Sequence, residues 1–157
     1  MSFHEIPVFT LEDLEATKSD LHFARFDQAD AYALGTTAAA IITERKAPLA
    51  VAVRIGDHQV FKAALGGVSR DTDGWLRRKA ATAERFGVSS LLVRRRIEAG
   101  QLDDSELDEA TYASHGGSYP IIVAGTVVGS ITISGLEDVV DHDVAVRAIR
   151  ASLIEGF

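Results

Sequence analysis

The 157-residue chain has no cysteine. Disulfide frameworks, iron–sulfur clusters, thiolate zinc sites, cysteine nucleophiles and C-x-x-C-H haem attachment are therefore excluded. Met1 is the only methionine, so axial metal ligation would fall to His, Tyr or an oxygen donor. No apolar run approaches the ~20 residues that a membrane span needs, and no membrane partner is expected. The opening residues, Met1-Ser2-Phe3-His4-Glu5, lack the basic-then-apolar pattern of an export signal, which predicts a cytoplasmic protein. Positive charge is in deficit: 16 Lys and Arg against 23 Asp and Glu leave −7, arguing against nucleic acid as a partner. The phosphate-loop, dinucleotide-loop, zinc-protease and serine-elbow motifs are all missing.

What is present suits one soluble domain: 46% hydrophobic and 25% charged residues, with three prolines and 13 glycines. A chain of this length buries roughly 70% of its unfolded surface, enough for a core without covalent staples. Thr10 is a suitable N-cap for a first helix ending near Ser19, with Glu12 and Asp13 in its first turn. Leu21 to Phe26 reads as a short strand. Asp27 caps a long helix through about Arg45, with Leu34, Ala38, Ile41 and Ile42 along one side. Gly35 within it costs roughly 1 kcal/mol against alanine unless something packs closely there. Close packing is the expectation.

Leu49–Ile55 and Gln59–Leu65 form a hairpin around Gly56-Asp57-His58. A three-residue loop pairs Val53 with Phe61 and Val51 with Ala63, giving one apolar face; a two-residue loop would set Val51 against Lys62. A helix follows from Asp73 to Phe86 with Leu76, Ala80 and Ala83 inward, then one from Ser89 or Ser90 to Ala99. Ile121–Val123 and Val127–Ser134 are strands turning at Ala124-Gly125-Thr126, and Gly129 marks a bulge or close backbone approach. The last helix runs from Glu137 to Leu153 on a stripe of Val139, Val146, Ile149 and Leu153. Hairpins separated by helices predict an α+β fold with an antiparallel sheet covered by helices.

Three segments carry candidate chemistry. In His115-Gly116-Gly117-Ser118-Tyr119-Pro120, paired glycines can expose consecutive N–H groups as an anion cradle beside an imidazole. The plain alternative is a tight strand-entry loop. In Ser134-Gly135-Leu136 to His142, the acids Glu137, Asp138 and Asp141 favour self-capping over phosphate binding. His142 falls on the apolar stripe as a core histidine, or reaches a pocket with Asp141 or Asp143 tuning it. In Asp71 to Lys79, the triplet Arg77, Arg78 and Lys79 opposes a helix dipole, which favours an external carboxylate or ligand for one of them. Residues 70–100 hold eight basic groups against four acids, and an acidic block from Asp103 to Glu109 follows. Glu12/Glu15 and Glu106/Glu109 have E-x-x-E spacing, which acidic helices produce constantly; no metal is assigned to them.

Laid out in order, Phe26-Asp27…Leu34-Gly35, Val60-Phe61-Lys62-Ala63-Ala64-Leu65, Asp73-Gly-Trp75…Arg78-Lys79, His115-Gly-Gly-Ser-Tyr-Pro120 and Ser134-Gly-Leu136…Asp141-His142 resemble the haem-degrading-domain (GlcG-like) family, short cytosolic branch, over about residues 10–154. The resemblance implies a profilin-like fold, a central antiparallel sheet flanked by helices, and dimers that assemble further. Members differ in function, and a fold does not transmit one. The expected function is a homo-oligomeric small-ligand-binding protein, its partner a second copy of itself and its small anionic ligand either haem-like or a small carboxylate. The binding residues expected are His115, Gly116, Gly117, Lys79, Arg78 and His142. The alternatives are an enzyme acting on a small oxo- or hydroxy-acid with His115 or His142 as general base, and a protein-interaction module.

Overall fold

The computed structural model describes residues 6–155. Its order is α1 (Leu11–Thr17), α2 (Gln28–Arg45), β1 (Ala50–Ile55), β2 (His58–Ala64), α3 (Thr72–Phe86), α4 (Ser90–Glu98), a 3-10 turn (Asp104–Glu106), β3 (Ser118–Val123), β4 (Thr126–Ser134) and α5 (Asp138–Glu155). The strands form one antiparallel sheet in the order β2-β1-β4-β3. Residues 1–5, read above as lacking an export-signal pattern, and residues 156–157 lie outside the described residues. Among those described, no helix is long and apolar enough to cross a membrane.

Alternation along β4 builds the layers. Ile131 and Ile133 join Val51, Val53 and Ile121 on the face packed by α2 and α5, where Leu34, Ala38, Ile42 and Ile149 complete the main core. Ser118, Ser130, Thr132 and Ser134, also buried, occupy the alternate positions, on the face that α3 covers. Small and hydroxyl-bearing side chains there let α3 lie close while its Leu76 packs on Ala50 and Ala52.

The local signals act as expected at the helix starts. Thr10 Oγ1 accepts from the Asp13 amide, and Ser89 Oγ from that of Leu92. Asp27 and Asp30 close a reciprocal box at 2.9 and 3.0 Å. Gly35 faces the Phe61 ring so closely that a Cβ would overlap it. α5 departs from its single stripe: Val144, Ala145 and Ala148 are fully buried, because the helix packs on the sheet, α2 and α4 together.

Val51 does pair with Ala63 and Val53 with Phe61, but the loop is shorter than expected. Ile55 stands opposite His58, leaving a two-residue turn, Gly56-Asp57. Val60 is bulged between Gln59, opposite Arg54, and Phe61, opposite Val53. That extra residue restores the apolar register the short turn would have lost. The second hairpin repeats the device: Ala124 and Gly125 turn at positive φ, and Val128 is the bulge. Next to it, Gly129 passes so near the Arg54 carbonyl that no Cβ would fit. Leu21–Phe26 is not a strand. It makes one parallel bridge, Phe23 to Val123, because Phe23 and Phe26 turn inward as an edge-to-face pair.

Candidate functional site

α3 places Lys79 under the junction of β4 and α5. Lys79 Nζ donates to Asp141 Oδ2 at 3.1 Å and to the Ile133 carbonyl at 3.2 Å. Both charged side chains are buried, at 4% and 0% exposure. Asp141 also accepts from the amides of Gly135 and Leu136 at 3.2 and 3.1 Å, the self-capping that the acidic helix start predicted. Burial pulls the Lys79 amine below its ordinary value against the Asp141 charge. Burial also raises the Asp141 carboxyl to about 6, outweighing Lys79 and the two amides. Desolvation is the largest cause of both shifts, each away from the charged form.

The His115 loop is tied to α3 and α4. The Ala113 amide donates to Thr82 Oγ1 at 3.1 Å and the Ser118 amide to Ser90 Oγ at 3.1 Å. His115 is half-buried and meets Trp75 edge-to-face, with ring centroids 5.4 Å apart. Burial, then the nearby Arg94 charge, lowers its pKa, so the imidazole is neutral at pH 7. The Arg78 guanidinium lies 4.4 Å over the other ring of this group, Trp75.

Two clefts share Trp75 and His115. One, of about 300 Å³, is lined by Lys79, Thr72, Ser69, Ser134, Asp71 and Asp138. The other, of about 430 Å³, carries Arg78, Arg94 and Tyr112, with Asp104 and Glu109 also in its lining. A hollow of about 460 Å³ between the β1–β2 hairpin and α3 is larger, but its basic groups are engaged: Arg54 pairs with Glu84, Lys62 with Asp73, and Arg77 donates to the Ala110 carbonyl. Arg78 and Arg94 are engaged too, Arg78 donating to the Gly74 and Glu109 carbonyls and Arg94 pairing with Glu98; what sets the two smaller clefts apart is that His115, Trp75 and the buried Lys79 meet there.

The expected residues divide accordingly. His115, Lys79 and Arg78 come together. Gly116 and Gly117 lie buried beneath them and line neither cleft. The expected anion cradle gives way to close packing: a Cβ on Gly116 would strike the Asp138 carbonyl, and one on Gly117 the Ile133 carbonyl and Lys79 Nζ. Lys79 occupies the room that Gly117 vacates. The triplet needs no external partner either, since Arg77 and Arg78 donate to carbonyls of the acidic loop and Lys79 to Asp141. Arg85 donates there too, so the basic helix and the acidic block meet within one chain. Glu15, half of an E-x-x-E pair, is gripped by Arg96 through two 2.9 Å hydrogen bonds that hold its carboxyl near 2.

His142 is elsewhere and is both core residue and cavity wall. It is 2% exposed, packs edge-to-face on Phe9 at 4.6 Å and borders a 270 Å³ cavity with Tyr119 and Arg150. Its Nδ1 is buried without a partner among the described residues, and burial drives its pKa down to about 4. Asp143 and Asp138 oppose that shift; Asp141, the other expected tuner, faces Lys79 instead. Sequence reasoning missed the Lys79–Asp141 pairing across 62 positions and the Trp75–His115 contact. Only the shared apolar or charged character of those positions hinted at either.

Comparisons with known proteins agree with this frame. The family described as "Haem degrading protein HbpS-like" matches residues 26–150. A UPF0303 protein of Streptomyces coelicolor is 42% identical over 145 residues, covering 90% of this chain and 92% of its own length. The crystal structure of the Ybr137w protein matches with a TM-score of 0.84 at 30% identity, over 95% of this chain and 91% of that one. The crystal structure of a PduOC:heme complex shares the fold at a TM-score of 0.70 and 20% identity, over 80% and 94% of the two chains. By sequence and by its four-stranded antiparallel sheet packed against helices, this chain belongs to the HbpS-like haem-degrading protein family.

Proposed function

We propose that the chain is a homo-oligomeric binding protein for a small carboxylate-bearing ligand, held at the paired clefts around His115. One observation carries the reading: a neutral, half-buried imidazole and an indole form the wall between a cleft with two guanidinium groups and a cleft with a buried lysine. Guanidinium forks hold carboxylates by paired charge-assisted hydrogen bonds. A neutral imidazole is the form that ligates a metal. Cleft volumes of about 300 and 430 Å³ suit a small ligand, near the lower end of the ~300–1,000 Å³ usual for such sites.

Haem combines two carboxylates with an iron that accepts an imidazole, and a relative of this fold was crystallised as a heme complex. Haem is thus the first ligand to test, and succinate represents carboxylate without iron. Trp75 is the chain's only tryptophan, so its fluorescence reports occupancy of both clefts. Titration with haem is expected to quench it saturably and shift the Soret band, with both effects lost in His115→Ala. Succinate is expected to quench more weakly and to depend on Arg78 and Arg94. Flat titrations with both compounds would overturn the reading.

A further inference from the structure

Beyond reversible binding, we infer that Lys79 is a carbonyl-capturing amine: in the smaller cleft it forms an imine with a small aldehyde or 2-oxo acid. Lys79 lines that cleft while its Nζ is otherwise enclosed, donating to Asp141 and the Ile133 carbonyl. Two of the three ammonium hydrogens have protein acceptors, and the side chain that carries them borders the cleft. An ammonium ion is not a nucleophile, and the geometry supplies what converts it. Asp141 Oδ2 stands 3.1 Å away, fixed by the Gly135 and Leu136 amides so that it cannot swing aside. Burial disfavours the charged forms of both partners, which eases proton transfer from nitrogen to oxygen. Gly117 provides the space in which Nζ sits. His115 and the Ser134 and Thr72 side chains line the same cleft, where a bound carbonyl oxygen would need polar partners.

The step balances without a further reagent. The Nζ lone pair forms a C–N bond to the carbonyl carbon as the C=O π pair moves to oxygen. Two protons leave nitrogen, carried by way of Asp141, and depart with that oxygen as water. What remains is a C=N bond to Lys79. No oxidant or reductant takes part.

The inference shares Trp75 and His115 with the binding reading, but its test is separate. The full-length protein is incubated at neutral pH with pyruvate, or with propanal, and sodium cyanoborohydride, which reduces an imine to a stable secondary amine. Peptide mass spectrometry then locates the adduct among four lysines, Lys18, Lys46, Lys62 and Lys79. Burial disfavours the ammonium form at Lys79, so Lys79 is expected to lead each of the three exposed lysines by about tenfold or more. Asp141→Asn removes both the charge that favours protonated Lys79 and the group that carries its protons, so it is expected to change the labelling rate of Lys79 alone and leave the exposed lysines unchanged. Because wild-type mapping alone decides the matter, a variant that fails to fold removes nothing. Labelling that follows exposure, or that spares Lys79, overturns the inference. Trp75 quenching by pyruvate without reductant reports reversible binding independently, so either idea can fall alone.

Discussion

A buried histidine whose Nδ1 has no hydrogen-bond partner among the described residues makes this protein's stability depend on pH. His142 is neutral in the fold down to about pH 4, against an ordinary value of 6.5. Above 6.5 both folded and unfolded chains carry it neutral, and its full contribution is present. As pH falls toward 4, the unfolded chain takes up a proton that the folded chain refuses, and stability drains away by about 3 kcal/mol. Asp141 runs the opposite way. Its carboxyl is raised from 3.8 to about 6, so its contribution is complete below 3.8 and is lost as pH rises through 6. The two slopes oppose each other between pH 4 and 6, which hides both in the wild type. His142→Phe, filling the space beside Phe9 and Tyr119, is expected to gain about 3 kcal/mol relative to the wild type between pH 6.5 and pH 4, read from urea unfolding curves. A difference that stays constant with pH would show that His142 is not the titrating group.

At the scale of elements, capping and apolar alternation were legible in the chain, while bulges were not. Thr10, Asp27 and Ser89 announce their helices because a side-chain oxygen followed by a free amide is a local event. The β1–β2 register was also legible, since only one pairing puts Val51, Val53, Phe61 and Ala63 on a single face. Val60 and Val128 as bulges were hidden, because a bulge residue resembles its strand neighbours and is chosen by the turn. Gly35 is a legible exception whose cause lies across the fold. Alanine there would favour an isolated helix by roughly 1 kcal/mol, yet its Cβ would overlap the Phe61 ring. Gly35→Ala is therefore expected to destabilise by about 1–3 kcal/mol, and the cost should shrink in a Phe61→Leu background. A double-mutant cycle by chemical unfolding measures the coupling. Equal costs in both backgrounds would place the restraint elsewhere.

For the whole molecule, the charge pattern read along the chain changes meaning once it is folded. An acidic loop lies against a basic helix, and the imbalance that invited an outside partner is largely met inside. The candidate site was half legible for the same reason: residue types at His115 and Lys79 stood out, but the Asp141 that engages Lys79 comes from another layer. Proposed self-association must then draw on other surfaces. The sheet edges are poor candidates, since β2 carries a bulge and Lys62, and β3 is bridged by Phe23. Exposed apolar side chains remain, among them Tyr32 at 60% on α2, resting edge-to-face on Phe61. Aromatics of this kind are enriched at the centre of subunit interfaces. Light scattering during dilution is expected to hold the mass above the 16.8 kDa of one chain, and Tyr32→Glu to lower it. A wild-type particle at 16.8 kDa throughout would remove the association, while an unaffected Tyr32→Glu oligomer would move the interface off α2.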